Sequence, residues 1–195
     1  MTQEQTNLTT IQISLQHNEV GLFPCDTVWG LIGQVSNSAA EKIITIKNRP
    51  LDMGFVVLIP TLSHLHTLCE PLSPDQLTIL NTYWPGPITF ILPKATTVPD
   101  IISGGKPTIA IRYPKNDDLI TLMKQLDAPL ISSSANLHND TTPRSWEDIA
   151  PDIRETVRFS YKTEQKTSDI ASTIVNLTQS PPTILRQGNI TFEVK

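Results

Sequence analysis

Residues 20–31 read Val-Gly-Leu-Phe-Pro-Cys-Asp-Thr-Val-Trp-Gly-Leu. The apolar run over residues 20–23 predicts a strand that stops at Pro24. A carboxylate, Asp26, and a hydroxyl, Thr27, follow at once. Gly30 is read as the residue that lets the backbone turn. Ligands of open α/β sheets bind outside the carboxyl ends of strands, so this exit is a candidate site; a plain polar turn explains it equally well. The same unit recurs along the chain. Residues 55–59 stop at Pro60, residues 88–92 at Pro93, and residues 108–112 at Tyr113-Pro114. Residues 130–133 run out into serines. Helical patterns separate these strands. Leu8, Ile11 and Leu15 share a face, and residues 62–69 read as a short helix. Ser38 with Glu41 has capping-box spacing ahead of Ile43, Ile44 and Ile46. Ser73 with Gln76 has it again, with Pro74 at the first helical position. Residues 117–126 place Leu119, Leu122, Met123 and Leu126 on one face, and Ser145 with Asp148 opens a further helix. Short strands are expected over residues 157–160, 172–176, 183–185 and 190–194. The alternation predicts an α/β fold with helices flanking a mixed sheet whose antiparallel part lies in the tail. Residues 1–7 are read as frayed and residues 162–169 as a loop.

Composition narrows the function. The chain has 195 residues, 15 Lys or Arg and 19 Asp or Glu, for a net charge of −4. That suits one domain over residues 1–195. It disfavours a broad electrostatic grip on nucleic acid. Charged residues are 17%, below the roughly 25% of average domains. The longest clean apolar run, residues 55–59, is far short of the ~20 residues that span a bilayer. The polar start carries no secretory signal. Cys25 and Cys69 are therefore expected as reduced thiols in a cytoplasmic protein. Prolines number 16, about 8% against about 5% in ordinary proteins. Interspersed with apolar runs, they suggest turns rather than disorder.

Several chemistries lack their residues. Gly104-Gly105-Lys106-Pro107 is no Walker A loop, because the first glycine is missing and proline replaces the magnesium-binding hydroxyl. His64 and His66, two apart on a helix, point away from each other and have no ligand partner at metal spacing. Cys25 reads as a small buried thiol rather than a nucleophile.

Other segments do carry chemistry. Pro50 pushes Arg49 out of helical geometry, so the helix ends near Lys47. In extended geometry Lys47 and Arg49 project from one side and could clamp a polyphosphate; a helix C-terminus also favours a basic pair. Trp84-Pro85-Gly86-Pro87-Ile88-Thr89 is a rigid turn into a strand, with Trp84 read as core or wall. Alternation over residues 108–112 puts Thr108, Ala110 and Arg112 on one face. Arg112, at the end of a buried strand, needs a partner: a ligand carboxylate or a structural acid. Ser132-Ser133-Ser134-Ala135-Asn136 is rich in short donors and acceptors, and Thr142-Pro143, Ser172-Thr173-Ile174-Val175 and Leu185-Arg186-Gln187-Gly188 follow.

Taken in order, P-C-D-T-V-W-G-L, K-N-R-P, W-P-G-P-I-T, T-I-A-I-R-Y-P, S-S-S-A-N, S-T-I-V and I-L-R-Q-G resemble the YrdC/TsaC family of threonylcarbamoyl-AMP synthases, in its short bacterial form. The resemblance implies a single domain with a twisted mixed open sheet and flanking helices around a large concave cavity. It implies that L-threonine, bicarbonate or CO2, and ATP are joined to threonylcarbamoyl-adenylate with release of diphosphate. Partner proteins would then transfer the group to an adenosine beside the tRNA anticodon; whether tRNA itself is bound is left open. Lys47 and Arg49 would be catalytic, facing the phosphates. Thr108, Ser134, Asn136, Thr142 and Arg186 would complete the ATP site. Thr27, Arg112, Ser132 and Ser172 would bind threonine. No protein metal ligand is implied, and Mg2+ would be carried mainly by ATP. Cys25, Trp29, Met53 and residues 137–140 depart from the family's usual pattern. The alternative is a non-catalytic RNA-binding module using the same basic cavity, which the acidic net charge disfavours.

Overall fold

The structure, a computed structural model, describes residues 7–162, 167–168 and 170–193. Residues 1–6 of the expected frayed end, 163–166 and 169 of the expected loop, and Val194 of the expected last strand lie outside this range.

The chain runs α1 (Leu8–Gln16), β1 (Gly21–Pro24), β2 (Trp29–Gln34), α2 (Asn37–Lys47) and β3 (Val56–Leu58). A 3-10 turn over Leu62–His64 leads into α3 (Leu65–Leu68), then α4 (Pro74–Tyr83), β4 (Ile88–Pro93) and α5 (Asp100–Ser103). There follow β5 (Thr108–Arg112), α6 (Asp117–Leu126), β6 (Leu130–Ser134), α7 (Pro151–Thr156), β7 (Phe159–Ser160), β8 (Thr173–Asn176) and β9 (Thr183–Arg186). Among the described residues nine strands join one sheet, ordered β7-β1-β2-β6-β3-β5-β4-β8-β9. Three pairs are parallel: β1 with β7, β3 with β5, and β4 with β8. Antiparallel pairs run through the whole sheet, beginning with the β1–β2 hairpin, and are not confined to the tail as expected.

Register sets two faces. Val57 lies opposite Ile111 and Ile131. These join Leu31 and the buried Ala39, Ala40 and Ile43 of α2 in one apolar cluster. The other face carries Phe23, Ile32, Leu58 and Leu130, covered by Ile11 and Leu15 of α1 and by Leu119, Leu122 and Met123 of α6. Burying each such side chain contributes about 1.5–3 kcal/mol. Beyond α1 and α6, no other helix of the described residues packs an apolar side on this second face. There Ile91, Ala110, Val56 and Ser132 form a row across β4, β5, β3 and β6.

Local details correct the sequence reading. Gly30 makes no turn. It lies within β2, opposite Phe23 and Ser134, and the hairpin turns earlier, over residues 25–28, where Cys25 N–H donates to Val28 O at 3.2 Å. Residue 30 is tightly surrounded: a Cβ would meet Ser132 Oγ at 3.0 Å and Cys25 Sγ at 3.1 Å, so either side chain would have to give way by a few tenths of an ångström. α2 is capped by Ser36 and not by Ser38: the Ser36 hydroxyl accepts from Ala39 N–H at 3.2 Å and donates to Asn18 Oδ1 at 2.7 Å. Ser145 and Asp148 do bond each other, Ser145 N–H to Asp148 Oδ2 at 2.9 Å, but they close a turn, and the helix waits for Pro151. Residues 190–193 form no strand, and the helix α5 was not anticipated. The Ser73–Gln76 capping box with Pro74 at the first turn is present as read. So is Trp84 in the core, its indole N–H donating to Ile88 O at 2.8 Å.

Replacing Ser36 by Ala should lower unfolding stability by about 1 kcal/mol. Ser38→Ala, at an exposed first-turn position, should change it by no more than about 0.5 kcal/mol. Urea titration of the two variants reads the difference; equal losses would return the cap to Ser38.

Candidate active site

Three strand exits and two loops meet over the end of the second face beyond α1 and α6. β5 sends up Thr108, Ala110 and Arg112, the alternation read from sequence. β6 contributes Ser132, Ser133 and Ser134, and the β1–β2 turn contributes Cys25 and Thr27. Arg49, Met53 and Phe55 close one side, Ser172 and Arg186 another, and Thr142 a third. They line a cavity of about 390 Å³, within the range of small-molecule sites.

Each guanidinium in the wall is held in place. Arg112 donates from Nη1 to Thr27 Oγ1 at 2.9 Å, and its Nη2 lies 3.3 Å from Asp26 Oδ1. Both ion-pair side chains are only 6% exposed. The structural acid left open by the sequence is therefore Asp26. Its other oxygen accepts from Lys115 N–H at 3.1 Å, which fastens the hairpin turn to the β5 exit. Arg112 Nε is buried without a hydrogen-bond partner.

Arg49 stacks on Phe55, its guanidinium carbon 3.9 Å from the ring centroid. It donates to Met53 O and Gly54 O, and reaches Ser133 Oγ at 3.4 Å. Its Nε has no partner, and burial lowers its pKa to about 10. Arg186 donates from Nε to Ser172 O at 3.0 Å and from Nη2 to Ser172 Oγ at 3.2 Å. Burial and then the charge of Arg112 push its pKa down. An anion bound beside Arg186 would offset both effects.

Lys47 and Asn136 are brought to this region but not to the cavity wall. α2 packs against the opposite face, and Asn48 adopts a left-handed conformation, φ 48° and ψ 48°. The chain turns there instead of continuing extended. Arg49 swings into the cavity while the Lys47 ammonium donates to Ser134 O and Asn136 O. Burial, and then the nearby Arg49, lower the Lys47 pKa to about 8, with Asp140 opposing. Asn136 donates from Nδ2 to Leu137 O at 2.8 Å and Asp140 O at 2.9 Å, shaping the loop after β6. The other expected site residues, Thr27, Arg49, Thr108, Arg112, Ser132, Ser134, Thr142, Ser172 and Arg186, all line the cavity.

The sequence reading missed two contributors. Lys106 lines the cavity from an exposed position after Gly104 and Gly105, whose φ values are 65° and 75°. Those two glycines were the only sign of its unusual backbone. Phe55, read only as a strand residue, is the platform for Arg49. Cys25 lines the cavity as well, but burial lifts its thiol to about 11, so it is no thiolate nucleophile at neutral pH. Among the described residues no group of three or more His, Cys, Asp or Glu could hold a metal ion, and no helix is long and apolar enough to cross a membrane.

Similarity to known proteins covers the same elements. A Sua5/YciO/YrdC family model, described as "Telomere recombination", matches residues 14–188. The threonylcarbamoyl-AMP synthase of Pyrococcus abyssi is 28% identical over 180 residues, 92% of this chain and 53% of that protein. That of Bacillus subtilis is 32% identical over 181 residues, 92% of this chain and 52% of that protein. The chain thus spans about half the length of these relatives. The enzyme of the same description from Xanthomonas campestris pv. campestris is 33% identical over 141 residues, 71% of this chain and 75% of that protein. The crystal structure of P. abyssi Sua5 complexed with L-threonine superposes with a TM-score of 0.87 at 28% identity, covering 95% of this chain and 56% of that one. Escherichia coli YciO shares the fold, with a TM-score of 0.84 at 24% identity over 93% of this chain and 89% of its own. A match that takes in both the sheet and every strand exit of the cavity makes this chain a member of the Sua5/YciO/YrdC family.

Proposed function

We propose that the protein is a threonylcarbamoyl-AMP synthase, joining L-threonine, bicarbonate or CO2, and ATP to threonylcarbamoyl-adenylate and diphosphate. The observation that carries this is the cavity wall. Two buried guanidiniums, Arg49 and Arg112, and the more exposed Arg186 face a band of hydroxyls, and the carboxylate behind them, Asp26, is already committed to Arg112. Such a wall suits ligands with several negative charges and many acceptor oxygens. The likeness to a Sua5 structure holding L-threonine supports the same reading.

In this reading Arg112, with Thr27, Ser132 and Ser172, takes the amino acid, its guanidinium facing the substrate carboxylate. Arg49, Arg186 and Lys106 face the phosphates, with Thr108, Ser134 and Thr142 beside the nucleotide. Lys47 stands one carbonyl behind the wall. Two of its three N–H groups hold the β6 exit, and the third remains for a phosphate oxygen. Asn136 shapes the loop against which the nucleotide lies. The reaction forms a bond from a carbamate oxygen of threonine carbamate to the α-phosphorus and breaks the bond to diphosphate. Negative charge migrates to the leaving diphosphate, and fixed cations stabilise it without reorganising. No side chain need become covalently attached; the protein orients the reactants and spreads charge. Mg2+ would arrive with ATP, since the described residues offer no carboxylate cage for it.

The product is a mixed anhydride that water hydrolyses, so it calls for a transfer protein that moves the threonylcarbamoyl group to tRNA in the cytoplasm. The RNA-binding alternative is not favoured: the cations sit inside a small cavity on a chain of net charge −4.

Incubating the folded protein with ATP, L-threonine, bicarbonate and magnesium should release diphosphate in a threonine-dependent way and yield the adenylate by mass spectrometry. Threonine-independent release, or none, would sink the proposal. Arg49→Ala should cut the rate by about 100-fold or more with native circular dichroism retained. The ammonium form of Lys47 is lost as pH rises through about 8. The wild-type kcat/KM for ATP, which reports the free enzyme, should therefore fall on the alkaline side with an apparent pKa near 8, and Lys47→Ala should be slow at every pH; a kcat/KM that stays flat well above that pH would remove Lys47 from the machinery.

A further inference from the structure

Thr89 lies on β4 behind the cavity wall and is fully buried. It is not a lining residue, and its hydroxyl sits 2.8 Å from Ser172 Oγ. Ser172 is 2% exposed, lines the cavity and also receives Arg186 Nη2 at 3.2 Å. A serine hydroxyl has one proton and two lone pairs. One lone pair is taken by Arg186. Two arrangements of the remaining bond are possible, and they differ in cost. If Ser172 donates to Thr89, the Thr89 proton is buried against no acceptor, a desolvation penalty with nothing to offset it. If Thr89 donates to Ser172, both lone pairs of Ser172 are filled and every proton is used or free to face the cavity. The second arrangement wins. It leaves the Ser172 hydroxyl able only to donate, and the direction left to it is the cavity.

We propose that Thr89 is a positioning residue that fixes Ser172 as a hydrogen-bond donor toward an acceptor oxygen of the amino-acid substrate. The inference rests on the reading of the cavity as a threonine site. It gives a chemical reason for a hydroxyl at residue 89, the second position of a strand whose neighbouring residues, Ile88 and Phe90, are apolar. Without Thr89, Ser172 is free to rotate its proton to other acceptors, and a substrate oxygen meets an unaligned hydroxyl.

Calorimetric titration of L-threonine into the full chain tests this. Thr89→Val and Thr89→Ala should both weaken threonine binding about 3- to 10-fold, the worth of one neutral hydrogen bond. Thr89→Ser, which restores the hydroxyl, should bind as the wild type does. In a Ser172→Ala background, Thr89→Val should have no further effect. The KM for ATP should not change in any Thr89 variant. Wild-type affinity in both Thr89→Val and Thr89→Ala would overturn the assignment. So would an equal loss for threonine and ATP, or failure of Thr89→Ser to recover, since each marks packing and not proton direction. A wild-type protein that binds no threonine at all would instead overturn the functional reading on which the inference stands.

Discussion

The register of β3 between β5 and β6 is the constraint on which the rest depends. β3 is three residues long, with Val56 opposite both Ala110 and Ser132. Because side chains alternate with period two, a slip of one residue on either side would send that strand's residues to the other face. Ala110 and Arg112, or Ser132 and Ser134, would then leave the cavity and enter the apolar cluster under α2. So short a strand cannot hold its register by hydrogen bonds alone. Val57 and Leu58, both fully buried on opposite faces, hold it by leaving no apolar-compatible alternative.

Given that register, the cavity's electrostatics follow. Arginine is the residue best able to be partly desolvated and remain charged, and each of the three guanidiniums in the wall is fixed by neutral acceptors: carbonyls, hydroxyls or the face of Phe55. Asp26 neutralises Arg112 alone. The wall is therefore preorganised and electropositive, although the chain as a whole is acidic. Desolvating a guanidinium, and then holding it near a second one, costs stability, and both effects lower the pKa of Arg186 in that order. That cost is recovered when an anion binds, which is how a site of this kind converts folding energy into affinity.

Much of this was legible in the residues. The capping box at Ser73, the span of α6 and the alternation over residues 108–112 obey local rules that neighbouring structure does not override. Errors occurred where two local signals competed. Ser36 and Ser38 both fit a cap, and the chain used Ser36, whose hydroxyl also bonds Asn18 across the fold. The expected turn at Gly30 and the expected extended geometry over residues 47–49 are both replaced in the structure. The glycine serves close packing inside a strand, while the left-handed turn is made by an asparagine, which tolerates it better than most residues. Lys106 and Thr89 stand in segments that the sequence marks, Gly104-Gly105 and Trp84–Thr89, but an exposed lysine and a strand hydroxyl show no role until Lys106 is seen at the cavity and Thr89 beside Ser172.

The prolines mark the division. Pro24, Pro60, Pro93 and Pro114 stand at or just beyond strand ends, as their fixed φ and missing N–H dictate. Sequence alone therefore determined where strands stop, which residues alternate toward one face, and which side chains could bind an anion. It could not determine which face that would be, nor that Lys47 and Arg49, two residues apart, end on different sides of the cavity wall. Those outcomes depend on strand order and on helices packed from both sides. Contacts between residues far apart in the chain decide them, and no local propensity encodes such contacts.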